Sequence, residues 1–181
     1  MSAPSPCRAI PVSTTVPLGR RRRAPHAPDG VATTSRGRLR SLAPLPLADR
    51  DGHAGVSVVV ADDNERFREG LVRSIDTDPD VHVVGQAGDG ASALELLVRT
   101  RPDVAVVDAR MPVLGGIELA RAVAQVPLLE RTQVVLLSAT LDRRVTAEAD
   151  DAGVALCLDK GLSRRDIREA VVALAGENGR P

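Results

Sequence analysis

Aromatic residues are almost missing from this chain, which has one phenylalanine, Phe67, and no tyrosine or tryptophan in 181 residues. A single ring cannot build the stacking platforms on which single-strand nucleic-acid binders lay successive bases. Cysteine is scarce as well. Cys7 and Cys157 stand far apart with no paired spacing, which excludes a disulfide scaffold and a thiolate zinc site and points to a reducing, cytoplasmic setting. No apolar run approaches the roughly 18 residues that a bilayer span needs, so a soluble protein with no membrane partner is expected. Lysine is the last rarity: of twenty-four basic residues only Lys160 is not arginine.

The zero net charge conceals two unlike parts. Residues 1–55 hold nine arginines against three acids, eight of the thirteen prolines, and the block Arg20-Arg21-Arg22-Arg23. Without a sustained apolar period such a stretch cannot offset its ordering entropy, so it reads as a disordered tail or as a start assigned too far upstream. No apolar segment follows the arginines as a secretory signal would require. Residues 56–181 carry the opposite charge balance and are long enough for one domain with its own core.

From Val56 onward short β-branched runs alternate with helical periods. Val56 to Ala61 is nearly continuous in apolar residues, the mark of a strand covered on both faces. Similar runs occur at Val81 to Ala87, Asp103 to Val107, Gln133 to Leu137 and Val154 to Leu158, interleaved with periods such as Phe67, Leu71, Val72, Ile75 and Ile167, Val171, Leu174. Five β/α units of this kind predict a doubly wound, five-stranded parallel sheet with helices on both faces.

Working groups in such sheets gather beyond the carboxyl ends of the strands. The residues ending the apolar runs are Asp62 and Asp63, then Asp108, then Ser138, then Lys160 after Leu158-Asp159. Three carboxylates at one edge repel one another, and a divalent cation relieves that repulsion. Oxygen donors with no histidine or cysteine beside them favour Mg²⁺, which commonly shares its shell with a substrate phosphate. Asp108 is then placed to attack phosphorus and form an aspartyl phosphate, while Lys160 and the Ser138 hydroxyl stabilise the phosphoryl oxygens. Taken singly, each acid is better read as a turn former or helix cap than as a ligand, but four residues of the required types at one edge, the sole lysine among them, are hard to reach by chance.

With these motifs the chain resembles the receiver domain of two-component response regulators over residues 56 to about 175. The resemblance is carried by V-V-V-A-D-D-N at 58–64, V-V-D-A-R-M-P at 106–112, the pair Ser138-Ala139, and Leu158-Asp159-Lys160. It implies a flavodoxin-like (βα)5 fold and phosphorelay signal transduction, with Asp108 as phosphoacceptor. It also implies Mg²⁺ held by Asp63, Asp62, Asp108 and the Arg110 backbone carbonyl. A sensor histidine kinase is the implied phosphodonor. The face formed by the fourth helix, fifth strand and fifth helix is the implied homodimer or output surface. Arg68-Glu69-Gly70-Leu71 looks most like receivers that precede a LuxR-type helix-turn-helix. Only twenty-one residues follow Lys160, so no sequence-specific DNA binding by this chain is expected.

Three positions depart from the family pattern. Cys157 stands where an aromatic switch residue is usual, Gly161 replaces a common proline, and Gly115-Gly116 replaces an acidic-glycine pair. Gly85-x-x-Gly88-x-Gly90 has the wrong spacing for a dinucleotide loop and reads as a turn. His26, His53 and His82 lie away from the acids, and Cys157 reads as a small buried hydrophobe. Two rival functions are an aspartyl-phosphate phosphotransferase acting on a small molecule and a truncated, phosphorylation-independent regulator of transcription. Against the first, the nucleophile is followed by Ala109-Arg110, whereas dehalogenase-type phosphatases need a second acid two positions on.

Overall fold

The computed structural model of the protein describes Arg8–Ile10 and residues 55–178. In chain order the elements are β1 (Arg8–Ile10), β2 (Val56–Ala61), α1 (Glu65–Ile75), β3 (Val81–Ala87), α2 (Gly90–Thr100), β4 (Val104–Asp108), α3 (Gly116–Ala124), a 3₁₀ turn (Pro127–Leu129), β5 (Gln133–Ser138), α4 (Arg143–Asp151), β6 (Leu156–Asp159) and α5 (Arg164–Asn178). All strand pairs are parallel, in the order β1-β6-β5-β4-β2-β3. The five β/α units expected from the apolar alternation are present.

The period-2 alternation of the strands divides the core in two. Val58, Val60, Val104, Val106, Val135, Leu137, Leu156 and Leu158 pack on one face with Leu71 and Ile75 of α1 and Ile167 and Val171 of α5. Their neighbours Val59, Ala61, Ala105, Val107, Val134, Leu136 and Cys157 pack on the other with α2, α3 and α4. Every residue of β4 is buried. That explains its valine content: β-branched side chains fit a strand covered on both faces.

The sheet carries a sixth strand that the sequence reading had placed in a disordered tail. Arg8, Ala9 and Ile10 lie parallel to β6, in register with Leu156, Cys157 and Leu158. An edge strand leaves a row of unpaired backbone groups, and even a three-residue extended segment can satisfy them. Pro11, which has no N–H, follows it. The remainder of the tail, residues 1–7 with Cys7 and residues 11–54 with His26 and His53, lies outside the described residues.

Two strand boundaries differ from the expected ones for local reasons. Asp103 stands just before β4, its N–H donating to Ser57 O at 3.0 Å and its carbonyl accepting from Gln133 N at 2.9 Å, while its carboxylate Oδ2 accepts from the Ser57 amide at 2.8 Å and from Ser57 Oγ at 2.6 Å. Val154 closes α4 instead of opening β6, its N–H donating to Ala149 O at 3.0 Å after Gly153 turns with a φ of 80°. The glycine-rich segment after β3 is a turn and helix start, in which Asp89 Oδ1 caps α2 by accepting from Ser92 N at 2.9 Å.

Candidate functional site

One residue past their ends, β2 is tied to β3, β4 to β5, and β6 to β5. Asp62 N donates to Ala87 O at 3.1 Å, Ala109 N to Leu137 O at 2.7 Å, and Lys160 N to Ser138 O at 2.9 Å. The strand ends therefore have no slack, which suits a site whose groups must be held before any substrate arrives.

Asp62 is fully buried and Asp108 is 5% exposed, whereas Asp63 is exposed to solvent. A carboxylate oxygen from each of the three lies within 4.8 Å of the others. Asp62 Oδ1 accepts from the Asn64 amide at 2.9 Å. Its Oδ2 is buried and pairs with the Lys160 ammonium at 2.8 Å. Lys160 Nζ also stands 3.2 Å from Asp108 Oδ2, so one ammonium bridges two buried acids. Strand alternation accounts for this meeting. Positions 62, 108 and 160 continue the parity of Val60, Val106 and Leu158 and so fall on the α1/α5 side of the sheet.

Burial is the main cause that pushes the Asp108 carboxyl above its usual range; the Asp62 charge adds to it and Lys160 opposes it. For Lys160, burial pulls the ammonium down, but Asp62 and then Asp108 outweigh it and the net direction is up. The cluster thus has a carboxylate that resists ionisation beside a lysine that stays charged. Three carboxylates whose oxygens converge with no nitrogen or sulfur donor fit a hard divalent cation.

Ser138 ends β5, next to Asp108 across the β4–β5 ladder, where Asp108 is in register with Leu137. Its hydroxyl donates to Thr140 O at 2.8 Å and accepts from Thr140 N at 3.3 Å, so it is engaged in its own loop. Arg110 lies in the loop after β4, between Ala109, whose carbonyl accepts from Gly116 N, and Pro112, whose carbonyl accepts from Gly90 N and Leu114 N. Val113 in this loop takes a φ of 68°, unusual for a β-branched residue, and the Leu114-to-Pro112 bond closes a tight turn around it. A Cβ on Gly116 would stand 2.4 Å from Asp108 O and 2.8 Å from Leu136 Cδ1, so only glycine lets α3 begin this close to the acceptor strand.

Two residues in contact with the site were not singled out from sequence. Arg68 donates from Nη1 to Asp62 O at 2.6 Å and from Nε to Gln86 Oε1 at 3.2 Å, clamping the acid loop to β3. Phe67 places its ring against Lys160. Both were legible only as helix α1 positions, although Phe67 as the sole aromatic was a signal. Conversely, His82 opens β3 at the end of the sheet remote from the acids, and Cys157 is fully buried.

A doubly wound sheet with two buried acids and a lysine at its strand ends defines a class, and the chain belongs to it: the response regulator receiver domain family, whose model matches residues 58–172. Among curated relatives, a probable transcriptional regulatory protein NarL of Mycobacterium tuberculosis is 43% identical over 120 residues, covering 66% of this chain and 55% of that protein. A protein-glutamate methylesterase/protein-glutamine glutaminase of Nitrosospira multiformis is 33% identical over 108 residues, covering 58% of this chain and 30% of that one. The chain thus spans about half or less of the length of these relatives. Of solved structures, the signal receiver domain of the putative response regulator NarL from Mycobacterium tuberculosis superposes with a TM-score of 0.65 at 42% identity, covering 71% of this chain and all of that one. The response regulator domain of Thermotoga maritima CheB gives 0.61 at 29% identity, covering 70% and 99%. Receiver domains are signalling modules of two-component systems and work with histidine kinases. Among the described residues no helix is long and apolar enough to cross a membrane.

Proposed function

We propose that this chain accepts a phosphoryl group on Asp108 from the phosphohistidine of a sensor kinase, with Mg²⁺ as cofactor. The observation that carries the reading is the bridging of Asp62 and Asp108 by the only lysine of the chain. Asp62, Asp63, Asp108 and the Arg110 carbonyl are the groups that would hold the ion. When bound, the ion supplies positive charge that neutralises the acids and the incoming phosphoryl oxygens.

In the transfer an Asp108 carboxylate oxygen bonds to phosphorus as the phosphorus–nitrogen bond of the donor breaks. The electron pair leaves with the imidazole nitrogen, which takes up a proton. Lys160, already 3.2 Å from Asp108, neutralises the phosphoryl oxygens with a compact point charge. The Ser138 hydroxyl, turned away from the Thr140 carbonyl, donates to one of them. Hydrolysis of the acyl phosphate restores the carboxylate. The chain acts as a signalling module in the cytoplasm and presents its altered surface through α4, α5 and the edge of β6, which β1 covers, to a second copy or an output protein.

The test is mass spectrometry after incubation with a small phosphodonor and Mg²⁺. One base-labile phosphoryl group is expected on the wild type and none on Asp108→Ala. Phosphorylation that survives the substitution, or a wild type that takes up none, overturns the assignment.

A further inference from the structure

Phe67 occupies the first turn of α1, where its N–H donates to the capping Asn64 Oδ1 at 3.1 Å. Its ring centroid lies 4.9 Å from Lys160 Nζ and 5.5 Å from the Arg164 guanidinium carbon. Both distances are within the range at which a cation is drawn to an aromatic face, about 6 Å, and the attraction grows when the cation is desolvated. The Lys160 side chain is only 20% exposed.

The helix is adapted to this arrangement. Gly70 follows Phe67 by three positions, so the two share a face of α1. A Cβ on Gly70 would stand 2.5 Å from Arg164 Nε and 2.7 Å from its Cζ, so the arginine lies across the helix where glycine leaves room. Ser74 Oγ, four residues further on, donates to Arg164 O at 3.1 Å and fixes the start of α5 against α1.

Lys160 has a flexible four-carbon stem, and the partners that hold its ammonium, Asp62 at 2.8 Å and Asp108 at 3.2 Å, are both carboxylates of the acid cluster. A divalent cation among the same acids would weaken that hold and repel the ammonium. An aromatic face carries no net charge and keeps its attraction whatever the acids bind. We propose that Phe67 is a positioning residue for Lys160, keeping the ammonium aimed at Asp108 when the acids are neutralised. The proposal rests on the reading of Asp108 as phosphoacceptor.

Phe67 also packs among the apolar residues of the α1/α5 face, so the test must separate ring chemistry from bulk. Phe67→Leu keeps apolar bulk without the ring, and Phe67→Tyr keeps the ring. Phosphorylation of the full chain by acetyl phosphate with Mg²⁺ is followed by mass spectrometry, alongside melting temperature and Mg²⁺ affinity. Phe67→Leu is expected to lower the rate about three- to tenfold, with Mg²⁺ affinity unchanged and Phe67→Tyr within about twofold of wild type. In a Lys160→Met background Phe67→Leu should have no further effect. A leucine variant at the wild-type rate, a tyrosine variant as slow as leucine, or an undiminished leucine effect without Lys160 overturns the proposal while leaving Asp108 as acceptor. A wild type that takes up no phosphoryl group overturns both.

Discussion

Replacing Asp108 by asparagine should stabilise the metal-free protein. Oxygens of Asp62, Asp63 and Asp108 lie within 4.8 Å of one another, and at an effective dielectric of about 20 each such pair repels by about 3 kcal/mol or more. Lys160 at 3.2 Å from Asp108 returns about 5 kcal/mol on the same scale, and solvent weakens the share from the exposed Asp63. The Coulomb contributions nearly cancel, so burial of the Asp108 charge decides the sign, in agreement with burial being the main cause of its raised pKa. Asparagine removes that charge, and Lys160 keeps its Asp62 partner at 2.8 Å. A gain on the order of 1 to 2 kcal/mol is expected in chelator at pH 7, or about 3 to 5 °C in melting temperature for each kcal/mol at this domain size. A carboxyl whose folded pKa is raised binds more protons in the folded state. Wild type therefore loses stability as pH rises from about 4, its unfolded pKa, through the folded one, and the asparagine advantage grows over that window. Mg²⁺ should then stabilise wild type by about 1.4 kcal/mol at ten times its dissociation constant, and the variant by much less. The assay is thermal unfolding by circular dichroism across pH and Mg²⁺ concentration. Equal melting temperatures in chelator and an equal response to the ion would show that these carboxylates do not share a charge problem or a metal.

Three further perturbations address the frame around the site. Gly116→Ala places a Cβ 2.4 Å from Asp108 O, so a loss of about 1 to 3 kcal/mol by denaturant unfolding and slower phosphorylation are expected together. Asp142→Ala removes the cap of α4, whose carboxylate accepts from Val145 N at 2.8 Å, and should cost about 1 kcal/mol without changing the phosphorylation rate. Deleting residues 1–14 uncovers the edge of β6, so hydrogen exchange at Leu156 to Leu158 should quicken while global stability falls by no more than about 1 kcal/mol, the pairing being only three residues long.

What the sequence revealed of this molecule follows from how each feature is encoded. β2 and β4 are valine-rich runs, β4 buried throughout, and the site acids Asp62 and Asp108 are the first polar residues after their last apolar positions, so both announce themselves in one dimension. Val154 misled because a helix-closing bond, not hydropathy, sets the start of β6, and Asp103 misled because it stands just before β4 while keeping main-chain bonds to Ser57 and Gln133. β1 was missed because three residues beside prolines and arginines have no periodicity; their pairing depends on an open edge that exists only in the folded sheet. The partners of Lys160 could be named as types but not as geometry. That one ammonium spans Asp62 and Asp108 and lies against Phe67 depends on the packing of α1 and α5.

The substitution at position 157 bears on how a change at Asp108 would reach the surface. The family resemblance puts an aromatic there, coupled to the hydroxyl residue through a ring that changes rotamer. Cys157 is fully buried, in register with Leu136 and packed in the cluster that holds Ala149 and Ala152. A side chain of that size has no ring to swing between core and solvent. The connection that remains joins a backbone bond to a side-chain one: Lys160 N donates to Ser138 O, and Ser138 Oγ donates to Thr140 O in the loop that leads to α4. If Ser138 turns toward a phosphoryl group, the Thr140 carbonyl loses its donor and the start of α4 loses an anchor. On the proposed reading, a signal leaving Asp108 would therefore run through the Ser138 hydroxyl and the loop before α4, and truncating the hydroxyl by Ser138→Ala should remove the Thr140 contact without needing an aromatic residue at 157.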